Sequence, residues 1–190
     1  MKNSRLLAVA ALVLPMALAA QQPAAPNPIT TSFKGSGTQY ARWLTAAFDS
    51  IPASKYSYKP TPVQQTIGYI AQHLESANYQ LCGLFGGVKP TMTAKDSLAD
   101  TVKAMWPKDT LVARLKASFV FCDNAMATVD DAKLADMIPV GPAAAGRTSP
   151  RARLVLLYVT DLVDHWSQIA NYMRLNGMIP PSALPRPGGG

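Results

Sequence analysis

The sequence has 190 residues, with 18 Lys and Arg against 11 Asp and Glu, two His, two Cys and a single Glu. That length supports one domain of ordinary size with its own core. Two histidines exclude a three-His metal site within one chain, and two cysteines exclude a four-cysteine zinc module or a fully thiolate-ligated iron–sulfur cluster.

The first twenty residues read as a secretory signal peptide. Lys2 and Arg5 supply a positive start, Leu6 to Ala19 an apolar run, and Ala17-Leu18-Ala19 a small-x-small cleavage pattern. The run is short for a spanning helix, so the expectation is an exported, periplasmic or secreted protein with no stable membrane anchor after cleavage. Removing Lys2 and Arg5 lowers the net charge from +7 to 16 − 11 = +5. The remaining basic residues are scattered, densest at Arg147, Arg151 and Arg153, with no stripe interleaved with aromatics; nucleic acid is not an expected partner.

Residues 21–33 are Pro-, Ala- and Gln-rich and read as a disordered leader. Gly37 to Ile51 carries Tyr40, Trp43, Leu44 and Phe48 at helical spacing and stops before Pro52. Thr61-Pro62-Val63-Gln64 predicts the start of a second helix, with a cap, a proline at the first helical position and a capping-box glutamine. Its apolar stripe, Ile67, Ile70, Leu74, Ala77 and Leu81, ends at Gly86-Gly87. A short helix is expected over Asp96–Trp106 and a long one over Thr110–Val129, with Leu111, Leu115, Phe119 and Cys122 on one face. Pro139 to Pro150 reads as a loop. Ser149-Pro150 then opens a last helix that runs to Asn176, where Gly177 suits a left-handed end and Pro180-Pro181 forbid continuation. No alternating strand pattern is found. Four main helices over residues 34–184, followed by a flexible tail at 185–190, predict an all-α four-helix bundle.

In the last helix Asp161 and His165 stand four residues apart and share a face, which Gln168 and Tyr172 continue. In the second helix His73 borders the apolar stripe, with Tyr69 on the same side. Two His and one carboxylate on facing helices form a common three-ligand set with positions open to water or substrate. The same residues also suit a simple ion pair and a hydrogen-bonded core-edge histidine, and spacing alone does not choose between these. Glu75 is expected to face away from His73, and Asp164 to point about 100° from His165. Cys82 and Cys122 fall in helices expected to be neighbours. A disulfide and two buried thiols both fit an exported domain with an even cysteine count.

The segment from His165-Trp166-Ser167-Gln168 through Tyr172-Met173-Arg174-Leu175-Asn176-Gly177 to Pro180-Pro181 resembles the closing motif of the DinB/YfiT-like superfamily, with Met173 where that family has leucine. Thr66 to His73-Leu74 is similar to the family's second helix, and Leu115 to Asp123, less specifically, to its third. The resemblance implies a four-helix bundle holding a divalent metal (Zn, Ni, Fe or Mn) on three histidines. His73 and His165 match two of the ligand positions, whereas the remaining one falls on Asp161, a departure that keeps a metal-capable donor. It further implies a metal-dependent hydrolase or thiol-transferase acting on a small molecule. Tyr69, Gln168 and Tyr172 suit residues that orient a ligand and equally suit polar residues at the edge of the core. The competing expectation is a non-catalytic bundle that binds a ligand or partner over a degenerate site. The catalytic base, the substrate and the oligomeric state, including a homodimer, are left open.

Overall fold

The computed structural model describes residues 26–141 and 146–185; the expected signal peptide, the first five residues of the expected leader and the last five residues lie outside them. The chain forms α1 (Pro28–Ser50), α2 (Ile67–Gly86), a single turn α3 (Asp100–Lys103), α4 (Lys108–Met126) and α5 (Arg151–Leu175). Two short strands, β1 (Met137–Pro139) and β2 (Thr148–Pro150), pair antiparallel with Ile138 opposite Ser149. The four long helices make the bundle: α2 packs on α4 and α5, and α1 packs on the same two, so α1 and α2 are diagonal. Leu44 and Phe48 of α1, Ile70 and Leu74 of α2, Leu111 and Leu115 of α4, and Leu162 and Ile169 of α5 fill the centre. These are the apolar positions that the 3.6-residue period puts on one face of each helix.

The helix ends depart from the sequence expectations, each for a local reason. The leader was expected to extend to residue 33, but α1 starts at Pro28. Asp131, from the turn after α4, accepts hydrogen bonds from the backbone N–H groups of Ile29 (3.1 Å) and Thr30 (2.8 Å) and from Thr30 Oγ1 (2.8 Å). A carboxylate distant in sequence therefore supplies the capping bonds that the Asn27 side chain, which accepts from the Asp131 N–H, does not make.

Thr61-Pro62 does not start α2. It forms a turn in which the Gln64 N–H donates to the Thr61 carbonyl at 3.2 Å, the other structure that Pro at a second position favours. Thr66 caps α2 instead, its Oγ1 accepting from the Tyr69 N–H at 3.1 Å. The expected helix over Asp96–Trp106 is split. Thr93 and Asp96 form a capping box around a short 3₁₀ turn (Ala94–Ser97), and Leu98-Ala99 is extended before α3. The 101–106 segment sits directly on α2, where a Cβ at Gly68 would lie 2.3 Å from the Ala104 carbonyl oxygen. Only glycine permits that approach.

Helix α4 runs two residues further toward its start than expected and three fewer toward its end. The stretch expected to be a loop over Pro139–Pro150 contributes β2 and part of β1. That ladder leads into α5, whose first N–H groups are met by carbonyls, Arg151 N–H by Asp136 at 2.8 Å and Ala152 N–H by Leu134 at 2.9 Å. Ser149 is consequently no cap, and its Oγ is buried without a partner. At the far end Gly177 takes φ 72°, the left-handed conformation expected of it. Cys82 of α2 and Cys122 of α4, both fully buried, are joined by a disulfide with their Cα atoms 5.2 Å apart.

Candidate metal centre

Helices α2 and α5 run antiparallel. Tyr172, near the end of α5, donates to the Gln65 carbonyl just before α2 (3.2 Å), while Tyr158 meets Phe85 at the other end of α2. Midway along this pair the three sequence-predicted ligands come together. Asp161 Oδ1 lies 3.5 Å from His165 Nε2 and 3.7 Å from His73 Nε2. The two imidazole rings are edge to face, with centroids 4.7 Å apart. One donor atom from each residue falls within 4.8 Å of the other two, so the group could hold a metal ion. Donors around a tetrahedral ion with bonds of about 2.1 Å stand about 3.4 Å apart, close to both carboxylate–imidazole distances. Side-chain exposure rises from 13% at His165 through 25% at Asp161 to 38% at His73, so the group opens to solvent on the His73 side.

The electrostatics fit a cation. Burial pushes the Asp161 carboxyl up, but the hydrogen bonds and charges of His165 and His73 outweigh it and hold the group well below the usual carboxylate range. Burial likewise pushes His165 down, and the bond and charge of Asp161, with smaller help from Gln168 and Asp164, bring it above the usual histidine value. Asp161 Oδ2 is buried with no hydrogen-bond partner. An orphaned carboxylate oxygen beside two imidazole nitrogens is a donor set that a divalent ion would satisfy.

The surrounding residues sort differently from the sequence expectation. Gln168 belongs to the centre: its Oε1 lies 3.3 Å from His165 Nδ1, and its Nε2 donates to Asp164 Oδ2 at 2.9 Å. With Nδ1–H directed at Gln168, His165 presents Nε2 toward Asp161, the arrangement by which a second residue orients a ligating imidazole. Asp164 was expected only to point away. It does so, yet it fixes Gln168, a role that its i, i+4 spacing could have shown. Tyr69 stacks on His73, with centroids 6.4 Å apart and 9° between the ring planes. Tyr172 takes the core-edge role: it is buried against Tyr58, donates to the Gln65 carbonyl, and is not among the three grouped donors. Glu75 faces away as expected, but into the protein. It is 3% exposed and pairs with Arg114 at 2.5 Å, and Arg114 also binds Asp96.

Residues 38–169 match the family pattern described as the DinB superfamily. No curated protein matches the sequence. Among solved structures, the fold is similar to a DinB-like protein from Bacillus cereus ATCC 10987, at 18% identity and a TM-score of 0.61 over 80% of this chain and 95% of that one. It is also similar to a conserved protein from Enterococcus faecalis, at 14% identity and a TM-score of 0.58 over 77% and 95%. These two likenesses carry the fold, and the family match spans most of the bundle, including all three residues of the candidate centre. On that evidence the chain belongs to the DinB superfamily.

Proposed function

We propose that this protein is an exported member of the superfamily that binds one divalent metal ion through His73, Asp161 and His165 and uses it to act on a small molecule. The convergence of three donor atoms within 4.8 Å across two helices carries this reading. A bound ion of the Zn, Ni, Fe or Mn type supplies polarisation of a substrate oxygen or a coordinated water of lowered pKa. The chain's own residues do the rest. Gln168 fixes the His165 ring and Tyr69 backs His73. The exposed edge at His73 leaves a path for a ligand. The reaction class that fits is hydrolysis or thiol transfer.

A second reading has its own support. The sole glutamate is committed to Arg114, and Asp164 to Gln168. Neither carboxylate stands as a general base at the centre, which favours a bundle that binds a ligand without turning it over. Export is proposed from the sequence alone. No helix among the described residues is long and apolar enough to cross a membrane.

Melting curves of metal-stripped protein with and without Zn, Ni, Mn or Fe test the metal reading. An ion at about 100 times its Kd adds about 2.7 kcal/mol, a rise of roughly 5–11 °C for a domain of this size. No shift with any ion would overturn it. Turnover by metal-loaded protein that is lost in His73→Ala would decide for the enzyme over the binding bundle. Mass spectrometry of the exported fraction tests export, the expected first residue being Ala20 or Gln21; an intact Met1 there would contradict cleavage.

A further inference from the structure

A cavity of about 800 Å³ lies beyond Tyr69, between the turn at residues 53–59, the start of α2 and the 101–109 segment. Small-molecule sites span about 300–1,000 Å³, so its size suits such a ligand. Tyr69 is the residue it shares with the metal centre: it lines the cavity, and its ring stacks on His73. Trp106 and Met105 form an apolar side. The Trp106 ring has the Arg114 guanidinium 5.0 Å from its centroid. Met105 is 78% exposed, a large apolar side chain held in water beside the opening.

The charge of the lining points one way. Lys59 and Lys108 both line the cavity, and their amino groups donate to the carbonyls of Pro62 (2.8 Å) and Asp49 (2.7 Å). Those acceptors are neutral, and neither lysine forms a salt bridge among the described residues. Asp109 is the acidic residue of the lining, so two lysines against one aspartate leave a net charge of 2 − 1 = +1. Flat apolar side chains beside uncompensated ammonium groups form a site for an aromatic anion.

We propose that this cavity binds the body of a small anionic molecule with a flat apolar ring, whose other end reaches past Tyr69 to the metal centre. The second half of that statement rests on the metal reading above. Fluorescence titration of the purified protein tests the cavity, with anilinonaphthalene sulfonate as the anionic probe and neutral N-phenyl-1-naphthylamine as its counterpart. Lys59 and Ser57 are exposed turn residues of the lining, so their variants should keep the fold, which circular dichroism checks. Reversing a charge at the site should cost the anion about tenfold in affinity, so Lys59→Glu should weaken the sulfonate by that factor and leave the neutral probe within about twofold. Ser57→Trp should weaken both probes about tenfold by filling the space. Unchanged sulfonate affinity in both variants, or equal loss of both probes in Lys59→Glu, would overturn the proposal. The titration needs no metal, which separates the two readings. Specific probe binding by a protein that takes up no ion would leave the cavity standing and remove the metal centre. Metal uptake with an indifferent probe would do the reverse.

Discussion

Gln168 Oε1 stands 3.3 Å from His165 Nδ1, while the amide nitrogen of the same side chain holds Asp164 at 2.9 Å. One turn of α5 thus carries a ligand candidate, the residue that orients it and the carboxylate that orients the orienter. Loss of such supporting contacts typically weakens metal binding about 10- to 100-fold. Gln168→Ala should therefore weaken Zn binding within that range, as read by competition with a chromophoric chelator. Unaltered affinity would show that His165 is held by its packing alone.

The metal-free protein and the metal-bound one should respond to pH in opposite senses. Asp161 is held below the unfolded carboxylate value near 3.9, so its contribution is in place above that pH and is lost as the pH falls through its lower folded value. His165 is raised above about 6.5, so its contribution is full below that pH and is lost as the pH rises through the folded value. Metal-free protein should thus gain most from the pair between about pH 4 and 6.5. Metal needs a deprotonated imidazole, so the ion-induced rise in Tm should grow across the range where that gain fades. Melting curves from pH 4 to 8.5, with and without Zn, check both slopes. A His165→Asn variant should flatten the metal-free profile above pH 6.5.

The periodic parts of the fold were legible in the sequence and the ends were not. The stripes Ile67–Ile70–Leu74 and Leu111–Leu115 report burial directly, because one period fixes one face. The start of α1 is bonded by Asp131, a hundred residues away, and the first N–H groups of α5 by the carbonyls of Asp136 and Leu134, just before β1. Asn27-Pro28 and Ser149-Pro150 mark both starts locally, but neither long-range partner can be read from them. Thr61-Pro62 and Thr66 show the complementary problem, two possible caps, of which the second is the one whose following N–H groups, Ile67 and Gly68, meet the carbonyls of Tyr58 and Tyr56. At the site, the i, i+4 spacing placed Asp161 and His165 together, and His73 followed from the helix expected to pack against them. Of the two readings open for Tyr172, the core-edge one holds. Its position, seven residues beyond His165, carries it to the start of α2, where its hydroxyl donates to a backbone carbonyl.

Arg114 joins three elements: it pairs with Glu75 of α2 at 2.5 Å, binds Asp96 of the intervening segment, and lies over Trp106. Removing one partner of a buried pair costs about 3–5 kcal/mol, because the remaining charge is left uncompensated. Arg114→Ala should show a loss of that size in urea unfolding. Glu75→Gln, which leaves Asp96 as a partner for Arg114, should cost less. Equal, small effects would place the network outside the folded protein's essential contacts.

The Cys82–Cys122 bond closes a segment of 40 residues between α2 and α4. Loop entropy for that length gives about 4 kcal/mol of stabilisation. Reduction should accordingly lower Tm by roughly 8–16 °C, and non-reducing peptide maps of the protein purified without reductant should recover the two cysteines as one linked peptide. Full alkylation of both thiols without prior reduction would contradict the linkage.

Whether His73, Asp161 and His165 hold one ion together is read from the metal content of protein purified without chelator, measured by inductively coupled plasma mass spectrometry beside His73→Ala, His165→Ala and Asp161→His. The natural protein should carry close to one equivalent, either alanine variant none, and Asp161→His should bind as tightly or more so, since imidazole is as good a donor as carboxylate for these ions. A natural protein empty of metal beside a loaded Asp161→His variant would contradict such shared binding, and so would equal metal in the natural protein and both alanine variants.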